Sequence, residues 1–240
     1  MNAFFVALSF LTRFPVPRRT DFNDWSCSAA YYPAVGWVIG SALILFQLLV
    51  ADHFPPEVGS VLLLVFWVWL TGGLHLDGLM DTADGLGANR DPEQTLGIMK
   101  DSRVGAMGVL TCLLLLLLKG AALASVPGSL WVPLLIVPVV ARWVLVAAIC
   151  YYPYISRDGI GTGLRDGLTG VSWFLATLLT VVLVGVVSGW TGVLFPIVGL
   201  LFLWWFGRMI QRRIGGFTGD AYGALVEGTE GLLLLLWLLV

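Results

Sequence analysis

The sequence predicts an all-α, polytopic transmembrane helix bundle: one integral membrane domain over residues 1–240, with about six or seven spans and a short N-terminal interfacial or re-entrant helix. Composition is the first reason. Of 240 residues 58% are hydrophobic and only 12% charged, against about 25% charged in soluble domains, and mean hydropathy is +0.91. The second is the recurrence of apolar runs near the roughly 20 residues that cross a bilayer. The third is the distribution of positive charge among those runs.

Element by element, residues 1–12 are apolar but too short to span. The start MNAFFVALSFLT lacks the positive n-region of a cleavable signal peptide. Expected spans are 29–51, 58–76, 107–126, 131–152, 171–189 and 191–207. A seventh, 224–240, is apolar only after Glu230 and reads as partly interfacial. The short links at 127–130 and near Trp190 call for antiparallel hairpins. Arg13, Arg18 and Arg19 precede the first span, and Arg90, Lys100 and Arg103 follow the second. Arg157 and Arg165 follow the fourth, and Arg208, Arg212 and Arg213 the sixth. Eleven of the 13 basic residues therefore fall on one face, which the positive-inside rule makes cytoplasmic. The expected location is a bacterial cell (inner) membrane, with the reactive residues facing the cytoplasm.

Net charge of −2 gives no reason to expect nucleic acid as a partner. Cys27, Cys112 and Cys150 have no metal or redox spacing and read as small hydrophobes. GWVIG at 36–40 has the small-xxx-small pattern of close helix contact, for which packing within the chain is a better account than a dimer interface.

Chemistry concentrates in HLDGLMDTADGLGANRD, residues 75–91. Asp77, Asp81 and Asp84 stand at i, i+4 and i+7, within about 60° of one another on a helix. Acids on one face with no base between Leu74 and Asn89 call for a cation, and oxygen-only donors favour Mg²⁺ or Mn²⁺. The plainer reading is a solvated helix end whose carboxylates cap the next helix. GGFTGDAYGALVEGTE, residues 215–230, puts Asp220 and Glu227 on one face with Gly223 and Ala224 between them. KDSRVGAMG, residues 100–108, sets Lys100, Ser102 and Arg103 before glycines at a helix start, which suits phosphate oxygens as well as it suits membrane anchoring. Lys119 and Arg142 fall mid-span, where a charge costs about 2.5–3.5 kcal/mol on insertion scales and usually faces a cavity or a partner. Buried cations with carboxylates at the mouth suggest a polyanionic substrate that brings its own metal, such as a pyrophosphate.

LTRFPVPRR, GGLHLDGLMDTADG, IMKDSRVGAMG and FTGDAYGALVE, in this order and in a chain of this size, resemble the cobalamin synthases, the adenosylcobinamide-GDP ribazoletransferases. The likeness runs from about residue 8 to residue 230. It implies that the 3′-hydroxyl of α-ribazole, or of its 5′-phosphate, attacks the cobinamide-linked phosphate of adenosylcobinamide-GDP. GMP leaves, the cobalamin is completed, and Mg²⁺ is expected. On this reading Asp77, Asp81, Asp84, Asp220 and Glu227 hold metal, Asp84 takes the hydroxyl proton, a choice made on position alone, and Asp81 is catalytic beside it. Lys100, Arg103, Arg142, Arg13 and Lys119 neutralise the diphosphate and the departing GMP. Partners are then the two small-molecule substrates and membrane lipid, and a homo-oligomer stays open. Three rivals remain at this point: a transporter coupling ions through the Asp cluster, a phosphotransferase for another diphosphate-linked substrate, and an inactive scaffold. Absence of a repeat and the one-sided motifs count against transport.

Overall fold

The computed structural model describes residues 2–18, 20–156 and 159–240. Arg19 and Arg157, two of the basic residues counted above, lie outside them. The described residues form helices joined by short loops, without a strand and with one isolated bridge, Tyr154 to Phe217. In order the helices are α1 (Asn2–Leu11), α2 (Trp25–Ser28), α3 (Tyr32–Val50), α4 (Pro56–Thr71), α5 (Leu74–Gly87) and α6 (Pro92–Met99). They continue with α7 (Ala106–Ser125), α8 (Trp131–Tyr151), α9 (Gly170–Ser188), α10 (Leu194–Ile214) and α11 (Gly219–Trp237).

α8 is the axis of the bundle. It is apolar all round, as a helix surrounded by others must be, and nearly every residue from Pro133 to Ile149 is buried. α3, α9, α10 and α11 pack around it. α3 comes closest because Gly36 and Gly40 carry no side chain. A Cβ at either would lie 2.7 Å from an α8 carbonyl, that of Pro138 or Leu134. The GWVIG motif therefore serves contact within the chain, where small residues let two backbones approach. By contrast α7 turns Leu110, Leu113, Leu114 and Leu117 outward, an apolar face suited to lipid.

By length and apolarity four helical stretches qualify as spans: Phe22–Val50, Ala106–Ser125, Trp131–Tyr151 and Gly170–Ile214. A fifth is the bent pair α4–α5. The difference from the expected six or seven lies in where the chain bends and where it is charged. Gly170–Ile214 comprises α9 and α10, separated by a 3-10 turn at Gly189–Val193. There the chain folds back until a Cβ on Gly192 would lie 2.8 Å from the Val184 carbonyl oxygen. α11 carries three acids, Asp220, Glu227 and Glu230, and is not among the qualifying stretches.

The break that positions the site is at Gly72 and Gly73. Both adopt left-handed backbone, φ +69° and +71°, which only glycine enters at little cost. The pair ends α4 within the expected span 58–76 and sends α5 off at 90°. α5 then crosses α11, with glycine on both sides of the contact. A Cβ on Gly78 would meet the Asp220 Cα at 2.8 Å, and one on Gly223 the His75 carbonyl oxygen at 2.9 Å.

Candidate active site

Two helices, α5 and α11, bring the acids together. The α5 helical repeat puts Asp77, Asp81 and Asp84 along one side, exposed at Asp77 and half-buried at the other two. Asp220 arrives from α11, whose start is fixed from outside. Phe217 donates its N–H to Pro153 O (2.8 Å) and accepts from Ile155 N–H (2.9 Å). Thr218 then caps the helix, its Oγ1 accepting from Ala221 N–H at 3.2 Å, a cap that typically stabilises by about 1 kcal/mol. Because α5 and α11 touch at Gly78, Asp220 comes next to the α5 acids.

The charges interact. Burial first, then Asp77, Asp220 and Asp84, push the Asp81 carboxyl up to about 6. Burial likewise raises Asp220, and Asp77 adds to this, while its hydrogen bonds and Lys100 pull the other way. Asp84 is held differently. Its two oxygens accept from the N–H groups of Gly105 (2.7 Å) and Gly108 (2.8 Å), so it caps α7. A side chain on either glycine would collide with it.

Two cavities meet at this cluster. An open groove of about 610 Å³ is bordered by Arg13, Gly72, Gly73, Asp77 and Met80. A narrower cavity of about 110 Å³ runs inward between α5, α8 and α11, and Asp77 and Asp220 both stand on its wall. Asp77 thus borders both spaces.

The model of the cobalamin-5-phosphate synthase family matches residues 3–238. The chain belongs to that family. Its relatives include proteins named adenosylcobinamide-GDP ribazoletransferase. That of Brevibacillus brevis is 46% identical, over 98% of this chain and 97% of its own. That of Desulfitobacterium hafniense is 42% identical, over 98% and 96%, and that of Pseudomonas syringae 40%, over 98% of each. No solved structure matches the chain.

The expected cationic residues divide into two sets. Arg13 and Lys100 are exposed near the mouth, Arg13 against Gly72 and Lys100 within electrostatic reach of Asp220. Arg103 is exposed as well, but its Nε and guanidinium nitrogen grip Asp101 at 2.6–3.2 Å. Lys119 and Arg142 lie deeper and are buried. Lys119 Nζ donates to Glu227 (3.0 Å) and Glu230 (2.6 Å), and Arg142 pairs with the other oxygen of Glu230. Lys119 also sits over the Trp67 ring, 4.5 Å from its centre. Two cations face two anions, so this layer is neutral as a whole.

Glu227 therefore stands below the mouth, apart from Asp77, Asp81 and Asp220. Among the described residues no three His, Cys, Asp or Glu side chains are placed to hold one ion between them. The cluster offers carboxylates singly, at the edge of a cavity. Sequence reasoning did not single out His75, Tyr32 or Tyr222 on the cavity wall. His75 had a signal, a histidine in an apolar run two residues before the first aspartate. The tyrosines had none at short range. Glu230 had a partial signal, an acid on the same helix face as Glu227 at the start of an apolar run, but nothing in the spacing tied it to Lys119 or Arg142.

Proposed function

We propose that this chain transfers the adenosylcobinamide phosphate of adenosylcobinamide-GDP to the 3′-hydroxyl of α-ribazole or its 5′-phosphate, completing cobalamin. The observation that carries the reading is the position of Asp77 between the open groove and the inner cavity, with Asp220 beside it. A two-substrate transfer needs two spaces meeting at the reacting group. The groove, with Arg13 on its rim, takes the diphosphate of the bulky corrinoid donor, and the cavity takes the nucleoside acceptor.

The acceptor oxygen forms a bond to the cobinamide-linked phosphorus. The bond from that phosphorus to the bridging oxygen breaks, and GMP leaves with the oxygen. Asp81, half-buried beside Asp77, Asp84 and Asp220, takes the hydroxyl proton. Asp84 holds the α5–α7 junction in place through its two N–H contacts. Lys100 and Arg13 meet the negative charge of donor and leaving group, while Arg103 is neutralised by Asp101. Lys119, Arg142, Glu227 and Glu230 support the crossing of α11 from below.

The donor set suits Mg²⁺ that arrives with the substrate. Mg²⁺ is typically held by one or two carboxylates together with phosphate oxygens and water, and Asp77, Asp81 and Asp220 present carboxylates in that sparse way. When bound there, Mg²⁺ would neutralise charge on the phosphoryl oxygens. We place the mouth on the cytoplasmic side of the inner membrane, since the basic segments and the acids share one face.

The test is purified protein with adenosylcobinamide-GDP, α-ribazole and Mg²⁺, following GMP and the corrinoid product by mass spectrometry. GMP and cobalamin should appear in equal amounts and be lost in Asp77→Asn and with EDTA. Folded wild-type protein that yields neither product would overturn the reading and bring the transporter back.

A further inference from the structure

The inner cavity is more particular than an acceptor site needs to be. Its walls are mainly apolar and come from five helices: Phe10 of α1, Tyr32 of α3, His75 of α5, Leu145 and Ile149 one turn apart on α8, and Tyr222 of α11. Tyr32 and His75 are buried, and each has a polar atom without a hydrogen-bond partner, the Tyr32 hydroxyl and His75 Nδ1. Ser28 lies beside Tyr32 but gives its own proton to the Trp25 carbonyl at 2.7 Å, so it does not donate to the tyrosine. Buried polar atoms are nearly always paired, and leaving one unpaired costs about 1–3 kcal/mol. Two on the wall of one cavity ask for a ligand that supplies the partners.

Size and polarity narrow the ligand. About 110 Å³ is room for the inner ring of a flat base, the rest of which lies toward the open end beside Asp77 and Asp220; a closed cavity of roughly 150 Å³ lined by Leu, Ile and Phe takes benzene. Beyond Tyr32 and His75 the polar side chains of the wall are Tyr222 and, at the mouth, Asp77 and Asp220. A purine would bring several donors and acceptors into this lining and leave most of them unpaired. A benzimidazole brings a flat apolar edge and one free ring nitrogen.

We propose that this cavity seats the benzimidazole-class base of the acceptor nucleoside, with the Tyr32 hydroxyl donating to its free ring nitrogen and the ribose emerging beside Asp77 and Asp220. The inference rests on the transfer proposed above and adds what selects the acceptor. Tyr32 is then a specificity residue, and Leu145 and Ile149 set the depth available to substituents on the base. Bare Gly78 and Gly223 at the cavity edge let the sugar approach the backbone.

Calorimetric titration of the metal-free protein in detergent with α-ribazole, and separately with adenosine, tests this without turnover. Wild type should bind α-ribazole at least about tenfold more tightly than adenosine, the worth of one or two unpaired polar groups. Tyr32→Phe should weaken α-ribazole about tenfold while the KM for adenosylcobinamide-GDP stays unchanged. Ile149→Phe should shift preference toward the riboside of unsubstituted benzimidazole, a change that mere loosening of the fold would not produce. Equal affinity of wild type for both nucleosides would overturn the proposal. So would variants that leave α-ribazole affinity unchanged, or that weaken both substrates alike. The two readings fail separately. Selective α-ribazole binding without GMP formation removes the transfer and keeps the base site, whereas GMP formation with no effect of Tyr32→Phe or Ile149→Phe does the reverse.

Discussion

Asp81 and Asp84 are three residues apart on α5 and should respond to substitution in opposite ways. Asp84 accepts two backbone hydrogen bonds from the start of α7. Asp84→Ala should therefore destabilise the protein by about 2 kcal/mol, the loss of a charged helix cap, seen as a lowered Tm in detergent. Asp81 is crowded by burial and by Asp77, Asp220 and Asp84, so its carboxyl is raised from 3.8 to about 6. Between those values the folded protein holds the proton more tightly than the unfolded chain does. Stability contributed by this group is thus present at low pH and is lost as pH rises through about 6. Asp81→Asn should unfold at higher temperature than wild type at pH 7.5 in EDTA, with the gap closing towards pH 4. It should also abolish GMP release. An equal Tm gap at both pH values would show that the Asp81 charge is not what strains the site.

At the scale of elements the site depends on how closely α5 and α11 cross. Gly78→Ala sets a methyl group 2.8 Å from the Asp220 backbone, closer than packing allows, and backbone yields less readily than a side-chain tip. The helices must part by a fraction of an ångström, moving Asp77 and Asp81 away from Asp220. Turnover should fall at least tenfold in protein that still purifies as a monodisperse peak; unchanged turnover would mean the crossing tolerates the shift. Beneath it, the ion pairs tie α7 and α8 to α11. Glu227→Gln leaves Lys119 short of one partner, and removing one side of a buried pair typically costs 3–5 kcal/mol. Lys119→Met combined with Glu227→Gln removes charges of both signs and leaves Arg142 with Glu230. The double variant should accumulate in membranes better than Glu227→Gln alone, measured by immunoblot at equal transcript. The reverse order would show that the pairs do not act as a charge balance.

Across the whole molecule the sequence reading and the structure agree best where the information is local. Spacing alone put Asp77, Asp81 and Asp84 on one helix side, because the helical period is short and regular. Apolar runs marked the helices for the same reason. The 90° turn at Gly72–Gly73 was not legible, since two glycines in an apolar run look like any close-packing site until φ is known. Nor was the destination of Lys119 and Arg142. Their mid-span positions called for a partner, but Lys119 meets Glu227 and Glu230 across 108 and 111 residues, and no spacing rule reaches that far. A substrate and a carboxylate looked alike from the sequence. Orientation can be checked with a cysteine at residue 52 or 93, in a background where Cys27, Cys112 and Cys150 are replaced. Asp52→Cys should react with a membrane-impermeant maleimide from the periplasmic side and Glu93→Cys only in inverted vesicles. The opposite pattern would place the mouth outside the cell.

The same ion pairs set a condition on birth. α7 and α8 leave the ribosome long before α11, so Lys119 and Arg142 enter the insertion machinery with no anion yet made for them. Until some 100 further residues are synthesised, two positive charges must wait among lipid tails, in the translocon or against a helper protein. The last helix brings the only anions paired with them among the described residues, and a chain cut short before Glu227 would leave both cations unpaired in the bundle.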